Sequence, residues 1–454
     1  MLETTAEDQA WLKFLNLLSE QDDSAEEDPD LAQIICLLRN GDRHARQESH
    51  YLAVKNLQLD VMKGSTWAME VLSSLYRYGW FIHRDFNKAM ELLQQAADHD
   101  DVEAMIEYAD MLAEGREGCA VDLRGAYVYY SKAAILVDPH AMYRVGDFYR
   151  DGLYVTEDPR TALALYRYAL DMVKEVRDDI VETAVRQRLR DLEEKGIQAA
   201  PAMAEDENFS PALIHKAEDG DIPAMVQVAD YIFFTDRSEE VEPELVERGL
   251  RYYQTAIQAG NHRAMVDCGL LYWYGNGVPK NYPKAVQLLR LAAQEGDPVA
   301  ADYLGSWFLT GERKIPVDHE QAYLWFSKAA LLGNIDGYIS CSDMFRWSNF
   351  VHHDPEASFD LLQIVEGCTN PVTQPLMYAD ACYRLGVELR HGIGCGKDLE
   401  RAKEYFAQAE KYYLSASETG DHPDFCQMRA GMAEAMIKEI EEKMKEQSDR
   451  DERL

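Results

Sequence analysis

The adjacent histidines His352 and His353 are followed by Asp354, and this His-His-Asp trio is the nearest the sequence comes to a set of metal ligands. The trio lies in FVHHDPEAS, where Asp-Pro is a helix-start signal. Asp354 is therefore read as an N-cap and the histidines as surface residues, with no metal. Neither HExxH, GxSxG nor the phosphate loop GxxxxGK[ST] occurs in the chain. Eight cysteines (Cys36, Cys119, Cys268, Cys341, Cys368, Cys382, Cys395 and Cys426) show no CxxC pair, which fits reduced thiols rather than zinc or disulfides. Carboxylates are the remaining chemistry. In a chain this acidic, residues such as Glu388 or Asp302 meet other acids by chance, so composition alone accounts for carboxylate pairs. The expectation is a protein without catalytic residues and without cofactors.

The charge points the same way. The 454 residues carry 46 Lys plus Arg against 81 Asp plus Glu, a formal charge of −35. Such a balance repels a polyphosphate backbone and an anionic lipid surface, which excludes a general nucleic-acid binder and a membrane-surface protein. A partner steered by electrostatics should be basic. The start, MLETTAEDQAWLKFLNLL, has acids where a secretory leader has bases, and no run approaches the roughly 18 apolar residues of a membrane span, so a cytoplasmic protein is expected. No oligomeric state is implied. With 27 Gly and 15 Pro, the chain is poor in turn formers and favours long regular elements.

These elements are repeated. An eight-residue pattern (small or aliphatic, small, two variable, aromatic or Leu, two variable, Gly) is clearest in Cys268-Gly269-Leu270-Leu271-Tyr272-Trp273-Tyr274-Gly275. Its relatives begin at Leu72, Tyr108, Val145, Val228, Leu304, Cys341 and Leu385. Six copies end in glycine (Gly79, Gly115, Gly152, Gly275, Gly311 and Gly392), while Thr235 and Ser348 close the fourth and seventh. A second pattern follows each: small, bulky three and four later, small or aliphatic seven and eight later. Ala89, Leu92, Leu93, Ala96 and Ala97 form its first copy, and it recurs from Ala126, Ala162, Gly249, Ala285, Ala322, Ala357 and Ala402. Successive copies lie 35 to 45 residues apart, except for one gap of 87. Positions 0, 3, 4, 7 and 8 make one stripe of an α-helix, so each unit is a helical hairpin whose small residues allow close approach. One hairpin cannot cover its own stripe; eight stacked hairpins can.

The units resemble the Sel-one-like repeat family of tetratricopeptide-related α/α solenoids. The family pattern is matched by Ala264, Gly269, Tyr272, Gly275, Gly277, Val278, Lys284, Ala285, Leu288, Leu289, Ala292, Ala293 and Gly296. It is matched again by Ala300, Leu304, Gly305, Phe308, Gly311, Ala322, Trp325, Phe326, Ala329, Ala330 and Gly333. The resemblance covers roughly 66 to 410 and implies an all-α fold, a right-handed superhelix of about eight helix-turn-helix repeats with helical caps. It also implies protein binding and no catalytic residues.

Six segments follow: an N-terminal helix and acidic linker (1–30), capping helices (31–65), repeats one to three (66–170), an inserted long helix and flexible joint (171–210), repeats four to eight (211–410) and a C-terminal capping helix with polar tail (411–454). In the linker, seven of the eleven residues from Glu20 to Asp30 are acidic, so it is expected to be solvated and mobile. The inserted helix is expected to run from Asp171 to Lys195, packed over the junction or acting as a hinge or dimerisation element. The bulky pairs, with Tyr129, Tyr130, Tyr166, Tyr252, Tyr253, Trp325, Phe326, Tyr405 and Phe406, are expected to pack between helices. Partner contacts are expected on the first helix of each hairpin, which lines the inner groove in related solenoids: Asp110, Asp147, Asp230, Asp267, Asp302, Tyr303, Asp343 and Glu388. Four of these (Asp110, Asp147, Asp230 and Asp343) occupy the third octet position and would form one acidic strip.

The functional expectation is a scaffold or adaptor that binds a basic protein or peptide segment in an acidic concave groove. An inhibitor or immunity-like protein that sequesters a basic partner is the first alternative. A helical toroid enzyme is the second, and an open crescent would exclude it.

Overall fold

The computed structural model describes residues 6–19, 29–40, 48–115, 120–176, 179–197, 210–234, 243–311, 313, 315–348, 350–419 and 423–451. Among the described residues the chain is α-helical throughout, with no strand. Each expected repeat is a pair of helices, as the octet and the small-bulky stripe require.

Three local devices set the pairs. The first helix usually opens on Ser, Asp or Asn, whose side chain accepts the backbone N–H three residues on. Ser65 holds Ala68 at 3.2 Å, Asp101 Ala104 at 3.1 Å, Asp138 Ala141 at 2.7 Å, Asn261 Ala264 at 2.9 Å and Asp297 Ala300 at 2.9 Å. Each such cap is worth about 1 kcal/mol. The same helix closes on glycine: Gly79, Gly115, Gly152, Gly275, Gly311 and Gly392 all have φ between 61° and 78°. An L side chain resists that left-handed conformation, which is why the octet ends as it does. Ser348, at φ −76°, ends its helix in extended backbone instead; Thr235 lies outside the described residues. The third device is the small second octet residue. A Cβ on Gly146 would stand 2.6 Å from the Tyr166 ring, and one on Gly305 2.5 Å from Phe326, so the glycine is what lets the two helices of a hairpin close on a ring.

The chain forms two compact units, residues 1–133 and 134–454, divided within one helix. In the first unit, α1 (Ala6–Ser19), α2 (Pro29–Asn40) and α3 (Glu48–Met62) cap the first repeat, α4 (Thr66–Tyr78) and α5 (Phe86–Ala97). Phe14, Leu18, Ile34, Leu38 and Leu57 share a core with Leu72, Trp80 and Phe81. The second repeat follows as α6 (Val102–Glu114) and α7 (Leu123–Ile135). Most of the acidic run, residues 20–28, lies outside the described residues.

The second unit begins with the third repeat, α8 (Pro139–Asp151) and α9 (Pro159–Val176). The expected single helix from Asp171 to Lys195 is corrected here. Its first part is the end of α9, and its second is a separate helix, α10 (Asp179–Glu194), which packs back along α9. Val181, Val185, Leu189 and Leu192 lie at most 9% exposed on one stripe of α10, and burying that stripe requires the turn back. Most of the expected joint, residues 198–209, lies outside the described residues. After the short α11 (Pro211–Glu218) come α12 (Ile222–Phe234) with α13 (Pro243–Gln258), then α14 (His262–Tyr274) with α15 (Tyr282–Gln294). The sixth repeat is α16 (Pro298–Thr310) with α17 (His319–Leu331), and the seventh α18 (Ile335–Trp347) with α19 (Pro355–Cys368). The eighth is α20 (Pro375–His391) with α21, which continues past the expected end at 410 as Leu399–Thr419; α22 (Pro423–Asp451) caps it.

One contact in this unit joins parts far apart in sequence. The turn between α8 and α9 reaches the sixth repeat, where Lys328 Nζ pairs with Asp158 at 2.6 Å, the side chains 5% and 4% exposed. Tyr154 donates its hydroxyl to Glu320, and Arg160 pairs with Glu295. The third repeat therefore belongs with the later ones.

Candidate interaction surface

The third octet position sets an aspartate on the first helix opposite the second bulky residue of the partner helix. Where that residue is tyrosine, its hydroxyl donates to the carboxylate. Tyr130 donates to Asp110, Tyr166 to Asp147 at 2.6 Å and Tyr253 to Asp230 at 2.6 Å. The pairing was visible in the sequence as a correlation: among the eight copies, tyrosine is the second bulky residue only where the octet has aspartate. A guanidinium from the following element completes two of these sites. Arg188 of α10 grips Asp147 with Nε and Nη2 at 2.6 and 2.7 Å, and Arg263 of α14 reaches Asp230 at 2.9 Å. Sequence reading missed a third site of this kind, Asp380. It accepts Tyr413 Oη at 3.0 Å and is held by Arg429 of the capping helix at 2.5 Å and by Arg384 at 2.8 Å. Burial opposes ionisation of Asp380, but Arg384 and Arg429 hold its carboxyl below the ordinary range. The signal lay outside the octet, five residues ahead of it, where no repeat position directs attention.

These Asp-Tyr-Arg groups fasten one hairpin to the next element. The other expected residues have different surroundings. Asp343, in a copy with no tyrosine at the bulky positions, takes Arg384 Nη1 at 2.5 Å. Glu388 is fully buried and accepts Ser358 Oγ at 3.2 Å and Arg346 Nη1 at 3.3 Å through Oε1. Burial, opposed by Arg346, pushes it up to about 7.

The fifth and sixth repeats differ. Asp267 lies 3.5 Å from Arg263 Nε, a guanidinium it shares with Asp230. Burial and then the Asp230 charge push Asp267 up to about 8; burial likewise raises Asp230. Asp302 accepts Ser340 Oγ at 3.4 Å and, among the described residues, forms no ion pair. Burial and the neighbouring Asp336 push it up to about 6. Tyr303 stands between these acids, its hydroxyl raised by burial and by the fields of Tyr274, Asp302 and Asp267. The structure thus brings Asp267, Asp302 and Tyr303 into one field, with Tyr274 and Asp336 added. Asp110, Asp147, Asp230 and Asp343 are each engaged within the chain. What this middle region can do chemically is exchange a proton for a cation: Asp230 and Asp267 share one guanidinium, Asp302 has no ion pair among the described residues, and Asp267 holds its proton up to about pH 8.

Among the aromatic pairs the second residue is the buried one, as in Tyr130, Tyr253, Phe326 and Phe406, and Tyr166 is buried beside Leu165. The first, as in Tyr252, Trp325 and Tyr405, is partly buried against the same cores. Asp354 caps α19, accepting Ala357 N–H at 3.0 Å.

A family model described as Sel1 repeat matches residues 68–101, 102–138, 139–172, 222–261, 262–297, 298–334 and 379–411. The seventh hairpin falls between matches, yet it folds as a helix pair. The chain is 25% identical over 189 residues to an uncharacterised protein of Neisseria meningitidis, covering 40% of this chain and 37% of that one. It is 28% identical over 283 residues to the chitin synthase regulator SKT5 of Saccharomyces cerevisiae, covering 61% of this chain and 38% of the relative. The chain thus spans about two fifths of the length of these curated relatives. A solved structure of a protective antigen of uropathogenic Escherichia coli with an SLR fold is similar at 21% identity and a TM-score of 0.37, covering 92% of this chain and 85% of that one.

Proposed function

Because the chain belongs to the Sel1 repeat family, we propose that it is a non-catalytic, cytoplasmic scaffold that holds a basic protein or peptide segment against the first helices of its repeats. The observation that carries this reading is the group around Asp267 and Asp302, where among the described residues acids exceed paired cations and a bound cation would displace the proton that Asp267 holds. The other acids of the strip, each matched to tyrosine or arginine, position those helices. Affinity would come from a few apolar anchors, and rate and selectivity from the field. Similarity to a protein named as an enzyme's regulator supports binding rather than catalysis. No helix among the described residues is long and apolar enough to cross a membrane.

Fluorescence anisotropy with a labelled basic peptide, at low and at high salt, tests the reading. Binding that weakens with salt and on combined Asp267→Asn and Asp302→Asn substitution is expected. Binding indifferent to those two residues would refute it.

A further inference from the structure

The seventh octet position lies one helical turn beyond the third, on the same face of the first helix. In the second unit three of these residues are large exposed rings: Phe234, Tyr274 and Trp347 are 41%, 48% and 68% exposed. Two follow an aspartate by four residues, Asp230 before Phe234 and Asp343 before Trp347. Tyr274 shares its surroundings with Tyr303, beside Asp302 and Asp267. Neighbouring first helices touch in this stretch, where the Trp273 and Trp307 rings stack at 3.6 Å. Equivalent positions of successive repeats therefore run along one edge of the stack.

The chain's own arginines show what these rings accept. The Arg346 guanidinium lies 4.7 Å from the Trp347 ring centroid, and that of Arg313 lies 5.9 Å from Tyr274 and 4.7 Å from Trp273. A planar guanidinium can lie on an aromatic face and turn its edge to a carboxylate, which an ammonium on a flexible stem does less well. An edge of rings set a turn from aspartates, on a chain of charge −35, is complementary to arginine.

We propose that Phe234, Tyr274 and Trp347 form a docking edge for an arginine-rich segment of a partner protein, whose guanidinium groups stack on the rings while Asp302, beside Tyr274, supplies countercharge. The proposal rests on the scaffold reading and names the partner's chemistry.

The test measures anisotropy of a labelled dodecapeptide of alternating Arg and Gly, and of its Lys counterpart, with the full chain. The arginine peptide should bind about 3- to 10-fold more tightly, and Trp347→Ala or Tyr274→Ala should each weaken it about 3- to 5-fold. Val372→Ser, at an exposed residue off the edge, should change nothing. Equal affinity for both peptides, or arginine-peptide binding unchanged by the ring substitutions, would overturn the edge. If Asp302→Asn still weakened binding in that case, the scaffold reading would stand. Failure of both peptides to bind at low salt would end both readings. Sedimentation gives a further outcome: self-association abolished by Trp347→Ala would mean that a second copy covers the rings, and would also overturn the proposal.

Discussion

The tetrapeptide Ser-Lys-Ala-Ala occurs in the second helix of the second repeat, with Lys132, and again in that of the sixth, with Lys328. Both lysines are buried and both find an aspartate. Lys132 pairs at 2.7 Å with Asp100, in the turn that precedes its own repeat. Lys328 pairs at 2.6 Å with Asp158, 170 residues away in the third repeat. The same local sequence thus makes a near contact in one place and a far one in the other. A helix stripe decides that the lysine points inward; which carboxylate meets it depends on how the stack folds against itself. Both carboxylates are shut off from water, and Asp158 has further donors in the Thr161 hydroxyl at 2.7 Å and the Thr161 N–H at 3.1 Å. Burial, opposed by Asp158, holds Lys328 below the ordinary lysine value.

The comparison can be broken most forcefully at Lys328. Lys328→Met leaves the Asp158 charge buried and should cost about 3–5 kcal/mol in urea unfolding. Adding Asp158→Asn should recover much of that loss, because the residual cost is the unpaired charge rather than the missing attraction. Lys132→Met should cost a similar amount, about 3–5 kcal/mol, because the Asp100 carboxylate oxygens are buried as well. A loss at Lys132 well below that at Lys328 would show that the near contact carries less than the far one.

The acids without full partners sharpen the contrast. Asp267 is raised from 3.8 to about 8, so the folded chain holds a proton that the unfolded chain has released over that interval. Its contribution is therefore fully present below about pH 4 and is lost as pH rises through 8. Asp267→Asn should flatten the fall of stability between pH 5 and 8, measured by thermal melting, while Lys132→Met should leave that slope unchanged. The smallest effect is expected at Tyr154, whose hydroxyl supports the far contact through Glu320. Tyr154→Phe should cost about 1 kcal/mol, and combined with Lys328→Met it should cost less than the sum.

Much of this was legible before folding was considered. Octet glycines marked turns because left-handed backbone excludes side chains. Small second residues marked close approach, and bulky pairs marked the ring that fills it. The candidate surface was legible only in part. Reading Asp110, Asp147, Asp230 and Asp343 as one strip was right about their repeat position but blind to what stands opposite each. Arg188 and Arg429 lie outside the repeats, and no periodicity links them to the carboxylates they hold. The helix expected from Asp171 to Lys195 failed for a related reason: a continuous apolar stripe is compatible with one long helix or with two folded together, and α9 decided between them.

Hairpin geometry, caps and stacking are short-range matters, decided within about 40 residues by backbone conformation and apolar spacing, and they are written in the chain. The fastening of the third repeat to the sixth, the sharing of one guanidinium by Asp230 and Asp267, and the lack of an ion pair at Asp302 among the described residues needed the tertiary structure. Charge energies depend on distance and on exclusion of water, and neither is a property of position along a sequence.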